Sequence, residues 1–270
     1  MSISELSAER KLYLRALQRE KQLVMSMRAA ILILIVALWE LAAAMGWIDD
    51  FIMSSPSRIF ETLKNLFISG ELFYHTGISC FETVIGFICG TVFGTLIAAL
   101  LWWSSRLSSI LDPYLIMLNS LPKTALGPIF IVWAGSGTGA IIAVTIAVSI
   151  IVTILEVYTG FKQTDEDLIR LMKTFGATKL QIFLKVVLPA NYETIMNSLK
   201  VNVGLSWVGV IVGEFLVSKA GLGYLIVYGS AVFKMDLVMA SVIILAISAT
   251  LMYQFVLLAG KKILGKRIKV

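Results

Sequence analysis

Long apolar segments are the feature that most limits how this chain can fold. A helix needs about 20 mostly apolar residues to cross the hydrocarbon core of a bilayer. Five segments of the 270-residue chain meet that requirement without interruption: 29–48, 79–103, 140–161, 195–217 and 237–260. Because lipid offers no hydrogen-bond partner to an exposed backbone, each segment is expected to form an α-helix. The sequence therefore predicts an all-α membrane protein.

A sixth apolar segment, 110–133, differs from the others because it contains Pro122, Lys123 and Pro128. Proline lacks the backbone N–H that a helix uses, and its ring collides with the preceding turn. We interpret this segment as a spanning helix that is kinked or interrupted. The predicted fold is therefore a polytopic bundle of six transmembrane helices within residues 29–260.

Composition excludes several functional classes. The chain is 58% hydrophobic and only 15% charged, and a soluble domain of this size cannot bury so much apolar surface. The net charge of +6 comes from residues beside the apolar segments, so no nucleic-acid partner is expected. Cys80 and Cys89 share one apolar segment and are expected to be buried thiols. His75 is the single histidine, so no metal site is expected.

The distribution of basic residues predicts the orientation. Six spans place both termini on one side, and loops rich in lysine and arginine remain in the cytoplasm. Most of the 23 basic residues lie in the arm 1–28, the loop 162–190 and the tail 261–270. We therefore expect both termini and the loop to be cytoplasmic. The opposite loops hold Arg58, Lys64, Lys219 and Lys234.

The arm 1–28 mixes acidic and basic residues along a helical pattern. It predicts an amphipathic helix on the cytoplasmic membrane surface, where basic side chains meet anionic lipid. Signal-peptide cleavage is not expected, because the apolar segment 29–48 is longer than the roughly 7–15 residues of a signal-peptide core.

The loop 162–190 carries the local signals of two short helices. Thr164 and Asp167 have the spacing of a capping box, which predicts a first helix starting near Asp165. Gly176 suits the positive φ that ends such a helix.

A second short helix follows the turn. Thr178 and Gln181 again have capping-box spacing, and Pro189 marks the end of this helix or a kink into the fifth span. The pattern alone leaves two interpretations open. The loop is either a hairpin that rests on lipid or a structure presented to a partner protein.

The spacing after the turn resembles a known signature. Nine residues separate Gly176 from Val186, and one more precedes Leu188 and Pro189. This resembles the EAA loop of bacterial ABC importer permeases: Glu-Ala-Ala, three residues, Gly, nine residues, Ile, one residue, Leu-Pro. Ala177 also fits the pattern.

Other parts of the chain support the resemblance. The proline-containing segment 120–128, the residues 213–215 followed by 221–223, and Asp236 are all similar to segments of the same family. The likeness spans about residues 50 to 265 and points to type I ABC importer permeases, in the branch of the nitrate, sulfonate, taurine and bicarbonate systems.

The first half of the motif departs from the family pattern. Arg170 occupies the position of the motif glutamate, and Leu171 and Met172 occupy the positions of its two alanines. The resemblance nevertheless implies that the loop contacts an ATP-binding subunit. The implied ATPase-coupling residues are Arg170, Met172, Gly176, Ala177, Thr178, Leu180, Phe183, Leu188 and Pro189.

The resemblance implies a complete transport system. The expected fold is the six-helix, MetI-like fold of type I ABC importer permeases, in a bacterial inner membrane. The expected partners are a second permease subunit, as a homodimer, two ATP-binding subunits, an extracytoplasmic substrate-binding protein and membrane lipid. The implied substrate is a small anion or sulfonate, and the alternative is a vitamin or vitamin precursor of the thiamine-pyrimidine or riboflavin type. The mechanism that the resemblance implies is alternating access driven by closure of the ATPases.

The chain itself shows no nucleotide site. Its one glycine-rich run, 135–139, lacks the lysine of a phosphate-binding loop and is interpreted as a tight turn. The chain is therefore expected to bind no cofactor, with ATP and Mg on the partner ATPase. The sequence also lacks the His-Glu-x-x-His and Gly-x-Ser-x-Gly motifs, which disfavours an intramembrane enzyme. A membrane scaffold remains as a further alternative.

Polar residues within spans are costly and are candidates for the pathway or a gate. Glu214 has three open interpretations: packing or gating, substrate contact, or a solvated position. The candidates are Pro122, at the predicted break, and the polar residues Lys123, Asn202, Ser206 and Glu214.

Overall fold

A computed structural model of the chain describes the backbone of residues 8–265 and the side chains of residues 16–262. The start of the arm, 1–7, and the end of the tail, 266–270, lie outside the described residues. In chain order the helices are α1 (Ala8–Ala44), α2 (Asp50–Met53), α3 (Pro56–Ser69), α4 (Glu71–Trp103), α5 (Ser105–Ser120), a 3-10 turn (Lys123–Leu126), α6 (Gly127–Ala134), α7 (Thr138–Lys162), α8 (Glu166–Thr174), α9 (Lys179–Ile182), a π turn (Phe183–Val187), α10 (Leu188–Ala190), α11 (Tyr192–Val217), α12 (Leu222–Ala231) and α13 (Met235–Gly265).

Five of the described helices are long and apolar enough to cross a membrane: α1, α4, α7, α11 and α13. Helices α4, α7, α11 and α13 contain the predicted segments 79–103, 140–161, 195–217 and 237–260, whereas α1 ends at Ala44, four residues before the predicted end of the first segment at 48. Helix α1 also begins before the predicted segment, because it runs unbroken from Ala8 to Ala44. No glycine or proline lies between residues 16 and 30 to end a helix, so the arm and the first span are continuous. The position of the arm on the membrane surface stays a prediction.

The sixth span is broken rather than straight. Helix α5 and the segment Lys123–Ala134 are together apolar and long enough to span, but they meet at an angle of 95°. Leu121, before Pro122, has the extended backbone that a following proline favours, with φ −69° and ψ 139°. The prediction of a kinked or interrupted helix is therefore confirmed.

Packing between α4 and α7 shows that the broken segment crosses the bundle. Gly86 lies against Thr145, and Gly94 lies against Thr153. Residue numbers increase together along this contact, so the two helices are parallel. The connection 104–137 must therefore return from the end of α4 to the opposite end of the bundle.

Helix α11 packs on the same face of α7 in the antiparallel direction. Gly209 lies against Thr145, and Gly213 lies against Ile141. A Cβ atom at Gly209 would lie 2.6 Å from the Cα atom of Thr145, so only glycine permits this approach. Helices α4, α7 and α11 thus form a tightly packed centre. We call the end of the bundle at Trp103 and Lys162 the loop end, and the opposite end the far end.

Ionic contacts hold the far end together. Arg58 of α3 pairs with Asp236 of α13 at 2.9 Å and with Asp50 of α2 at 3.0 Å. The hydrogen bond to Asp236 raises the pKa of Arg58, so the guanidinium stays charged. Ser54 also donates to Asp236 at 2.8 Å. These contacts attach the connection between α1 and α4 to the last span.

The glycine-rich run 135–139 forms a turn at its start. Gly135 and Gly137 have φ of 81° and 121°, values that side-chain-bearing residues rarely adopt, and α7 begins at Thr138. The interpretation of these residues as a tight turn is therefore confirmed for 135–137.

Candidate functional site

The loop 162–190 forms two short helices, and the first of them has a cap that differs from the predicted one. Asp165 caps α8, because its side chain accepts a hydrogen bond from Asp167 N at 2.8 Å. The capping box predicted for Thr164 is wrong. Thr164 is buried, and its hydroxyl accepts a hydrogen bond from Asn191 Nδ2 at 2.8 Å. A buried amide needs a hydrogen-bond partner, so the Thr164 hydroxyl accepts from Asn191, and the exposed Asp165 caps the helix instead.

The turn after α8 has the geometry expected of its glycine. Gly176 has φ of 75°. Its N–H donates to Lys173 O at 2.9 Å, and Ala177 N donates to Met172 O at 3.0 Å. This pair of bonds closes a helix end in the Schellman arrangement. The prediction of a sharp turn at Gly176 is confirmed.

The second short helix begins with the predicted capping box. Thr178 N donates to Gln181 Oε1 at 2.8 Å, and Gln181 N donates to Thr178 Oγ1 at 3.3 Å. The helical path continues through the π turn and through Pro189 as far as Ala190. Pro189 lies in α10, which ends one residue later at Ala190, and Asn191 separates it from α11, so the predicted end or kink falls at this junction.

One side of the loop is packed against the bundle. Ile182 and Val187 are 3% and 0% exposed, and they contact Phe161 of α7 in one apolar cluster. Met172 and Phe183 pack against the same cluster. The loop is therefore fixed to the loop end of the bundle and does not hang freely.

The other side of the loop is apolar but exposed. Leu168, Leu171 and Phe175 recur at helical spacing along α8 and its end, and Leu180 and Leu184 are four residues apart after the turn. Several exposed apolar residues on one short segment are more than the scattered single ones that are common on proteins. Arg170 of α8 is exposed, and its guanidinium is paired with Glu166 at 2.8 Å. We call the following set the exposed loop surface: Leu168, Leu171, Phe175, Leu180 and Leu184, which are 46%, 50%, 76%, 53% and 51% exposed.

At the far end, Glu214 is enclosed by hydrogen-bond donors. Glu214 is 1% exposed, and Ser79 Oγ donates to its Oε1 at 2.6 Å. Gly223 N donates to its Oε2 at 2.5 Å. The solvated alternative for Glu214 is therefore wrong, and the carboxyl group holds together α4, α11 and the start of α12.

Two residues that the sequence interpretation missed complete this cluster. His75 Nδ1 accepts a hydrogen bond from Gly221 N at 2.9 Å, and Ser79 Oγ accepts one from Leu222 N at 2.8 Å. His75 and Ser79 are four residues apart, so they share one face of α4. That spacing of two polar residues was the available signal. We call Glu214, His75, Ser79 and the segment 218–223 the far-end latch.

The sequence matches a known family over most of its length. Residues 90–270 match the family described as "Binding-protein-dependent transport system inner membrane component". The chain belongs to this family. It is therefore a membrane transport permease and not an enzyme.

Relatives and a solved structure agree with that assignment. The aliphatic sulfonates transport permease protein SsuC of Bacillus subtilis (strain 168) is 30% identical, over 86% of this permease and 84% of the relative. The formylaminopyrimidine transport permease protein ThiX of Halalkalibacterium halodurans is 30% identical, over 71% of this permease and 76% of the relative. The inward facing MetNI methionine ABC transporter has a chain that superposes with a TM-score of 0.61 at 18% identity, covering 73% of this permease and 95% of that chain. The predicted MetI-like fold is confirmed.

The permease places its pathway candidates in different surroundings. Asn202 is completely buried, and its amide donates to Thr153 and, at 3.3 Å, to Thr91. Ser206 is also completely buried in α11. Lys123 lies at the exposed break after Pro122, and its ammonium donates to Asn119. Asn202 and Ser206 therefore lie inside one subunit, and a pathway role for any of the candidates stays a prediction.

Proposed function

We propose that this permease forms the translocation pathway of an ABC importer as one of two copies, and that its loop 162–190 docks on a separate ATP-binding subunit in the cytoplasm. The observation that carries the proposal is the exposed loop surface. A loop held by buried contacts on one side, with five large apolar residues exposed on the other, has the form of a rigid docking element.

Charge supports the placement of this surface in the cytoplasm. The loop lies on the side of the membrane where basic residues concentrate. An interfacial hairpin resting on lipid is the competing interpretation of the same residues. A protein partner is favoured because the spacing from Gly176 to Pro189 resembles the docking loop of the family.

Co-purification tests the docking. We would express the permease with its ATP-binding subunit and isolate the complex in detergent, with the wild type beside the double variant Leu180→Asp, Leu184→Asp. The variant should lose most of the ATP-binding subunit, because two carboxylates at an apolar contact remain unpaired. A Lys185→Met variant serves as the control in the same segment. Undiminished co-purification with the double variant would contradict the proposal.

The proposed substrate is a small organic sulfonate or a similar small anion. The relative named for aliphatic sulfonates supports this class, and the relative named for formylaminopyrimidine favours a vitamin precursor as the second candidate. Mass spectrometry of the ligand retained by the cognate binding protein, purified without denaturation, distinguishes them. A sulfonate supports the first candidate, and a pyrimidine supports the second.

A further inference from the structure

Lys179, the first residue of α9, makes a set of contacts that the loop motif does not contain. Its Nζ atom donates a hydrogen bond to the backbone carbonyl of Trp103 at 2.6 Å. The same Nζ atom lies 5.7 Å from the ring centroid of Trp102 and 5.7 Å from that of Trp103. One ammonium group therefore joins the loop to the last two residues of α4.

This position at the end of α4 favours a cation. Trp103 is the last residue of the helix, and carbonyls there lack a partner within the helix. The helix dipole also places partial negative charge at this end. Indole rings attract an ammonium group through their faces, with Trp the strongest of the aromatic residues. The hydrogen bond, the dipole and the two rings all act on the same ammonium.

Aromatic packing places the neighbouring turn of the loop against two spans. Phe183 lies 5.1 Å from Trp102 of α4 and 5.4 Å from Phe161 of α7, measured between ring centroids. Lys179 and Phe183 are four residues apart along one helical path, so they share a face. Leu180 and Leu184 remain exposed, which leaves them free to contact a partner.

The contact matters because α4 is not continuous with the loop. Helix α7 leads into the loop and α11 follows it, so both can be moved through the chain itself. Helix α4 receives movement of the loop through noncovalent contacts, and among the described residues Lys179 and Phe183 make such contacts directly from the loop to Trp102 and Trp103. Towards its opposite end α4 carries His75 and Ser79 of the far-end latch, which lie about 42 Å and about 36 Å along the helix axis from Trp103.

We propose that Lys179 is a positioning residue that transmits movement of the docked loop to α4, and through α4 to the far-end latch. The proposal rests on the docking of the loop to an ATP-binding subunit. It assigns to Lys179 a role in transmission rather than in docking, so the two can be separated by experiment.

The test uses the complete transporter in proteoliposomes, with the ATP-binding subunits present and the binding protein added from the far-end side. The measured quantity is the ratio of ATP hydrolysis with binding protein to hydrolysis without it, since this stimulation must cross the permease. The variants are Lys179→Met and Lys179→Arg. Lys185→Met is the matched control, because Lys185 is exposed in the adjoining turn and has no hydrogen bond or ion pair among the described residues.

Lys179→Met should retain the ATP-binding subunits and the basal hydrolysis but lose about ten-fold in stimulation, the scale of one charge-assisted hydrogen bond with cation–π contacts. Lys179→Arg should keep stimulation within about two-fold of the wild type, since a guanidinium replaces both contacts. Lys185→Met should match the wild type. Size-exclusion profiles of the three variants verify that each is folded.

Three results would overturn the proposal: full stimulation in Lys179→Met, an equal loss in Lys185→Met, or loss of the ATP-binding subunits from Lys179→Met, which would make Lys179 a docking residue. If the wild-type permease itself failed to retain ATP-binding subunits, the proposed function would be refuted, and this inference with it.

Discussion

Replacing glycines between α4 and α7 tests the packing that positions both ends of the molecule. A Cβ atom at Gly94 would lie 2.6 Å from Thr153 Cβ and 3.2 Å from the carbonyl of Ile150. Carbon atoms in contact prefer about 3.5–4.0 Å, so the helices must separate by about 1 Å. Overpacking of this kind costs about 1–3 kcal/mol, and Gly94→Ala should be destabilised by that amount.

The neighbouring position offers a rescue. At Gly90 an added Cβ would collide with the hydroxyl of Ser149, whereas the Cβ of Ser149 would be 3.4 Å away, an acceptable contact. Gly90→Ala should therefore be destabilised, and adding Ser149→Ala should restore stability. The expected coupling between the two substitutions is about 1 kcal/mol. The substitution Thr153→Ala should not rescue Gly94→Ala, because the colliding atom is the Cβ of Thr153, which alanine retains.

The assay is the free energy of unfolding in mixed micelles, measured by titration with sodium dodecyl sulfate. Gly204→Ala is the control, because an added Cβ there meets no atom within 4 Å. That substitution should be neutral, or stabilising by up to about 1 kcal/mol, since alanine is the better helix former. The packing argument would be refuted if Gly94→Ala behaved like Gly204→Ala, or if Ser149→Ala failed to restore Gly90→Ala.

Two further predictions concern the latch and the loop. Ser79→Ala removes the hydroxyl that donates to Glu214 and accepts from Leu222 N. Hydrogen–deuterium exchange in residues 218–223 should therefore become faster than in the wild type, with exchange in the loop 162–190 unchanged. Exchange at 218–223 as slow as in the wild type would contradict the described contacts. Asn191→Ala removes the hydrogen bonds from the Asn191 amide to Thr164 Oγ1 and Val187 O, both 2.8 Å. The local structure should lose about 1–3 kcal/mol of stability, so limited proteolysis within the loop 162–190 should accelerate. An unchanged cleavage rate would contradict the role of Asn191 as an anchor.

Local chemistry made much of the fold predictable. Apolar run length identifies the spans, because a lipid-exposed backbone must satisfy its own hydrogen bonds. The positive φ at Gly176 and the capping box of Thr178 and Gln181 depend only on neighbouring residues, and both are present. The prolines predicted the break in the sixth span but not its angle of 95°, which depends on how α5 and α6 pack.

Contacts between distant residues could not be read from local patterns. The spacing of Thr164 and Asp167 predicted that Thr164 caps α8, but its hydroxyl accepts a hydrogen bond from Asn191, 27 residues later. His75 and Gly221 are 146 residues apart, and no property of either residue alone indicates that they form a hydrogen bond. The contact of Lys179 is equally invisible in the local sequence, since its hydrogen-bond partner Trp103 lies 76 residues before it. The hydrogen-bond partners of the latch residues and of Lys179 were therefore accessible only from the three-dimensional structure.

Photo-crosslinking from the exposed loop surface tests the central claim most directly. A photoreactive amino acid at Leu180 should crosslink to the ATP-binding subunit in cells, whereas the same amino acid at Phe67, which is 60% exposed near the far end, should not. A crosslink from position 67 to that subunit, or the absence of one from position 180 in a transporter that remains active, would contradict the account.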